Sequence, residues 1–151
     1  MPNAEPAETG DYCERLWPAP WVFLATALVI PASLLVFLPI SLPVGVAVAL
    51  GLYITVLVVL VSTTPTVQVT ASTFRAGRAQ IERRFIADAA AFDGAEATAE
   101  RGVRLRARAW MLLRGWLPGL VRVEISDPDD PTPYWLVATR NPTRLAAALS
   151  S

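Results

Sequence analysis

Between Arg15 and Arg75 the chain has no Asp, Glu, Lys or Arg. A water-facing fold spreads charge over its surface, so a gap of this length restricts the options sharply. Two apolar blocks fill it. Trp21 to Ile40, wound as a helix, rises about 30 Å, which matches the hydrocarbon core of a bilayer. Pro43 to Val61, rich in Val and Leu, is of nearly the same length. The turn between them, Pro39-Ile40-Ser41-Leu42-Pro43, is short, as in a helical hairpin. Pro31 and Pro39 would break a helix in water, whereas membrane helices tolerate proline because neighbouring groups re-satisfy the freed backbone. A kink near Pro31 is expected.

The remainder of a 151-residue chain is too small to wrap two such helices as a soluble core. A cleaved signal peptide does not fit either. Glu5, Glu8, Asp11 and Glu14 outweigh Arg15 ahead of the first block, where a signal peptide is basic, and a second block follows at once. Residues 1–16 read as a flexible cytoplasmic tail. Around Leu16–Pro20, Trp17 and Trp21 flank two prolines and form an interfacial collar. In the second block the small residues Ser41, Gly45 and Ala49 recur every fourth position, as do Ala47, Gly51 and Thr55. Such rows let helix backbones approach closely. They suit either a dimer face or packing against the first helix of the same hairpin.

From Arg75 to Arg122, ten arginines stand against five acids. By the positive-inside rule this basic segment places both termini in the cytoplasm. The expected architecture is an integral membrane α-helical hairpin over 17–64, with spans 21–40 and 43–61. A small β-rich α+β domain follows over 65–151, pleckstrin-homology-like in outline, with a C-terminal helix. The expected location is the plasma membrane.

Beyond the second block the period changes. Val67, Val69 and Ala71 alternate with polar residues, Ala76-Gly77 offers a turn, and Ala79, Ile81, Arg83 and Phe85 alternate again, which predicts a β-hairpin. Asp93 with Glu96 resembles a capping box for a helix over 94–101, stopped by Gly102. Strands are predicted near 107–114, over 120–126 with Val121, Val123 and Ile125 inward, and over 134–139. The Asp127–Pro133 segment is a loop. Asn141-Pro142 opens a helix running to about Leu149, with Leu145, Ala148 and Leu149 on one face.

Histidine is absent and Cys13 is the one cysteine, which removes Ser-His-Asp and Cys-His catalysis, imidazole ligation and a disulfide framework. No catalytic residue, cofactor or metal is expected, and no enzyme activity. Asp127, Asp129 and Asp130 lack the glycine and distal Glu of an EF-hand loop and read as a solvated turn. Arg101, Arg104, Arg106 and Arg108 form the densest basic run, suited to anionic lipid headgroups or to plain solvation. No aromatic-interleaved motif accompanies it, so nucleic acid is not expected as a partner. Arg114, Trp116, Arg122, Tyr134, Trp135 and Arg140 combine guanidinium groups with aromatics, either as a ligand groove or as core rings and their cation partners.

The order of certain strings resembles a known family. Tyr12-Cys13-Glu14-Arg15-Leu16-Trp17 precedes the spans. Arg108-Ala109-Trp110-Met111-Leu112-Leu113-Arg114-Gly115-Trp116 and Val121-Arg122-Val123 follow, and then the run from Asp127-Pro128-Asp129-Asp130-Pro131-Thr132-Pro133-Tyr134-Trp135 to Arg140-Asn141-Pro142. Together these are similar to the actinobacterial two-span membrane proteins grouped as DUF3093. Gly115 departs from the Pro expected before Trp116. The resemblance implies a membrane location and brings no catalytic residues. The expected function is a membrane-anchored cytoplasmic interaction module that binds a protein partner or membrane lipids. The alternative is an accessory subunit of a transporter or channel, a homo-oligomer packed through Gly45, Ala49 and Gly51.

Overall fold

The computed structural model describes residues 12–151 and divides into two compact units, one formed by Trp17–Thr64 and one by the segments on either side of it. The tail expected over 1–16 lies outside the described residues up to position 11. Its end is corrected: Tyr12–Arg15 is a strand, β1.

In the helical unit, α1 (Pro20–Thr26) and α2 (Val29–Phe37) follow one line of apolar sequence with a break at Ala27-Leu28. Proline explains the break. Pro31 has no N–H to give the carbonyl four residues back, at Ala27. That carbonyl instead accepts from the Ile30 amide at 3.0 Å, a tighter turn. The chain reverses over Leu38–Ser41, and α3 runs from Leu42 to Ser62. Pro43, the expected start of the second span, therefore falls in the first turn of α3, where the missing N–H costs nothing. Both helical stretches are long and apolar enough to cross a membrane, and their buried residues are Ser33 in the first and Gly45 and Ala49 in the second. The Gly45 row faces inward. Gly45 and Ala49 are buried, and a Cβ on Gly45 would stand 3.2 Å from Phe37 Cβ. Ala47, Gly51 and Thr55 are exposed, and Gly51 faces open space.

The β-rich unit holds two four-stranded sheets. The first is an antiparallel meander, β1 (Tyr12–Arg15), β2 (Thr66–Val69), β3 (Thr73–Ala76) and β4 (Ala79–Glu82). The predicted hairpin thus contains one turn more than its alternation suggested. Thr70 and Thr73 fold the chain back through side-chain and backbone hydrogen bonds, so the polar-apolar pattern runs on across a corner. Gly77 (φ +61) makes the next turn. After a single turn of 3-10 helix at Arg83–Phe85, the chain enters the second sheet, ordered β5 (Ile86–Phe92), β7 (Gly119–Ile125), β8 (Tyr134–Thr139) and β6 (Trp110–Leu112). All its pairings are antiparallel except β6 with β8.

Helix α4 (Gly94–Arg101) has the expected bounds. The capping differs: Asp93 accepts from the Gly94 amide, while Glu96 reaches Arg104 and not its own helix start. The second helix of this unit, α5 (Pro142–Ser150), buries Leu145 and Leu149 and packs across β5, β7 and β8. Arg83 closes its C-terminal end, donating to the Ala148, Leu149 and Ser151 carbonyls at 2.8, 3.2 and 2.7 Å, which neutralises the negative end of the helix dipole. One apolar cluster joins both sheets. Leu16, Val67, Val69 and Phe74 from the first meet Leu120, Val121, Val123, Leu136 and Val137 from the second.

Candidate functional site

The residues singled out by sequence separate into three places. Trp135 is core: it is 5% exposed, with Phe74 at 5.8 Å and Trp110 at 4.8 Å between ring centroids. It stacks the two sheets together and is not displayed to a ligand.

Arg104, Arg122 and Tyr134 are brought together, around a residue the sequence reading passed over. Glu100, on α4, is 1% exposed. Its two oxygens accept from Arg104 Nη1 at 3.3 Å and Arg122 Nη1 at 3.2 Å. The Arg122 guanidinium also lies 5.4 Å from the Phe92 ring centroid and 5.9 Å from that of Tyr134. Arg104 pairs with Glu96 at 2.6 Å. Hydrogen bonds to Glu96 and then to Glu100 raise its pKa above the ordinary arginine value. The Tyr134 hydroxyl accepts from the Arg106 amide at 2.9 Å, holding the basic loop to the start of β8. The cluster is a charge network that fastens α4 and the 102–109 loop to the sheet. The signal for Glu100 was available: an acid one helical turn before Arg104 in a segment otherwise dominated by arginine.

Arg140 lies elsewhere, at the far end of β8, in a second polar node that sequence reading did not foresee. Glu14, on β1, accepts from the Tyr12 hydroxyl at 2.6 Å, from the Thr139 hydroxyl, and from the Arg140 amide at 2.9 Å. Thr139 in turn accepts from the Asn141 amide at 3.1 Å. Arg140 Nη1 donates to the Arg15 carbonyl at 3.4 Å. Burial, reinforced by the bond to Glu14, pushes the Tyr12 phenol up to about 12. Tyr-Cys-Glu-Arg and Thr-Arg-Asn-Pro, far apart in sequence, therefore form one joint.

Arg106 and Arg108 are exposed and precede β6, toward the Tyr134 end of β8. Arg114 and Trp116 follow β6 and lie toward the Thr139 end, both half-buried. The Asp127–Pro133 segment uses its carboxylates internally, Asp127 accepting from the Asp129 amide and Asp130 from the Thr132 amide. These turn-building bonds account for the acidic cluster as a loop scaffold.

The apolar helices α1–α3 are set between the first and second strands of a β-rich unit of two sheets, and that arrangement defines the class of chain. The chain belongs to the DUF3093 family, described as proteins of unknown function, whose model matches residues 11–149. No curated protein and no solved structure matches it.

Proposed function

We propose that the chain is an integral membrane protein of the plasma membrane, with both termini cytoplasmic, whose pleckstrin-homology-like β-rich unit is a non-enzymatic interaction module. The observation that carries this is the exposure of α1–α3. Leu24, Leu35, Leu50 and Ile54 are 75%, 75%, 51% and 57% exposed. An apolar surface so large and continuous needs an apolar solvent or partner. The positive-inside rule supplies the orientation. The module's ligand is a protein partner or the anionic lipid surface beside it.

Cys13, the single thiol of the sequence, is exposed and serves as the reporter. A membrane-impermeant maleimide should label it in inside-out vesicles and leave it untouched in intact cells. Labelling of intact cells refutes the orientation, and release of the chain by alkaline carbonate refutes the anchoring.

The exposed Ala47, Gly51 and Thr55 row supports a second reading, an accessory subunit that oligomerises through α3. Native mass spectrometry in mild detergent tests it; a strictly monomeric chain removes it.

A further inference from the structure

The β-rich unit has a polarity that its linear charge pattern hides. The chain leaves the first sheet of this unit after Arg15 and returns to it at Thr66, and those two residues are register partners. The Leu16 amide donates to the Pro65 carbonyl at 3.0 Å, and the Thr66 carbonyl accepts from the Gly77 amide at 2.8 Å. The Gly77-Arg78 turn therefore sits at the exit end. Gly77 in turn lies against Leu112, the last residue of β6, a Cβ there standing 3.7 Å from its side chain. The loop that follows β6, with Arg114, returns to Gly119, which pairs with Thr139 at the end of β8. Arg140 bonds the Arg15 backbone, and Pro142, which opens α5, packs on Gly119.

Arg15, Arg78, Arg114, Arg140 and, in the first turn of α5, Arg144 thus gather at one end. The acids among the described residues there are Asp93, Glu96 in the first turn of α4, and Glu14; Glu96 pairs with Arg104, and Glu14 is engaged by Tyr12, Thr139 and the Arg140 amide. The opposite end collects Glu82, Asp88, Glu124 and the Asp127, Asp129, Asp130 loop. Arg106 and Arg108 are also on that side, since the Arg106 amide bonds the Tyr134 hydroxyl.

The linkers Leu16–Ala19 and Thr63–Pro65 are short. Fully extended, four residues reach about 14 Å. Both linkers therefore join the helices at the arginine end, and the acidic loop stands at the other. The geometry points to the exit end, where Arg101 also bonds the Leu117 and Pro118 carbonyls, and not to Arg104, Arg106 and Arg108, as a binding surface for the phosphate groups of anionic lipids. Guanidinium groups suit it, because their planar fork pairs with two phosphate oxygens at once. This assignment rests on the membrane anchoring proposed above.

The test uses the full chain in nanodiscs of phosphatidylcholine, with and without phosphatidylglycerol, followed by hydrogen exchange. At low salt, amides of 77–79 and 113–118 should slow in the anionic discs and recover at high salt. Each basic residue at such a surface is worth about fivefold in partition. Arg78→Glu with Arg144→Glu, both exposed positions, should abolish the slowing, while Arg78→Lys with Arg144→Lys, which keep the charge but not the fork, should weaken it without abolishing it. Unchanged exchange at the exit end, with 20–37 and 42–62 protected in both discs, overturns the lipid site and leaves the anchoring standing. Free exchange of those helices in both discs overturns the anchoring, and the site with it. The same slowing produced by inorganic phosphate in phosphatidylcholine discs replaces the lipid with a soluble anion. Slowing confined to 102–109 moves the contact to the opposite end and refutes the assignment.

Discussion

The chain segments on either side of the helical hairpin should form one folding unit that tolerates removal of everything between them. Arg15 and Thr66 are paired and the Leu16 amide meets the Pro65 carbonyl, so an Asn-Gly turn can join Leu16 to Pro65 directly. Replacing an excursion of roughly 50 residues by two lowers loop-closure entropy by at most about 3 kcal/mol in a flexible-chain estimate. Starting the chain at Pro65 instead removes β1. Leu16 is wholly buried and Tyr12 is 8% exposed. Burying side chains of this size is worth about 1.5–3 kcal/mol each, so losing both costs on the order of 3–6 kcal/mol. That approaches the whole stability of a small domain, about 5–15 kcal/mol. Circular dichroism with urea titration should show a cooperative transition for the joined chain and none, or a much weaker one, for 65–151. Equal midpoints for the two would refute the reasoning, because β1 would then contribute nothing to the core.

Glu100→Ala should destabilise the β-rich unit by about 2–3 kcal/mol, less than for a fully buried pair because Arg122 is 31% exposed. Urea midpoints of the joined chain measure this, and a change below half a kcal/mol (about 0.5, within the usual scatter of a surface substitution) would contradict it. Gly45→Ile should loosen the hairpin by about 1–3 kcal/mol through overpacking against Phe37, while Gly51→Ile should be nearly silent. Thermal melting in detergent separates them, and equal effects would refute the packing. Tyr12 has a folded pKa of about 12 against an ordinary 10. Its protonated form is favoured by folding, so the stability it contributes is complete below pH 10 and lost as the pH climbs to 12. Tyr12→Phe should flatten that loss in an alkaline series of the joined chain, and an unchanged slope would refute the link.

Much of this architecture was legible because its signals are local. A charge-free stretch, strict alternation over 120–126 and an Asn-Pro helix start depend on neighbours in sequence, and the structure places α3, β7 and α5 there. Pro31 announced a kink, and the break falls at the carbonyl that proline deprives. The first half of the predicted hairpin was misread at 70–73, because alternation continues through a tight turn while the strand does not. The 12–15 segment was read as tail because a four-residue strand carries no periodic signal of its own; its partner lies beyond the hairpin.

The candidate site was less legible, for the same reason. The arginines were visible one by one, but their grouping depends on pairings that link positions far apart. Composition and hydropathy alone determined two apolar helices of bilayer length and a β-rich remainder, because water and hydrocarbon sort residues by chemistry regardless of partners. Only the tertiary structure decided that residues 12–16 belong to the core of that remainder and that Arg15, Arg78, Arg114 and Arg140 share one end of it. Charges meet through strand register and loop closure, and neither is written in the order of the chain.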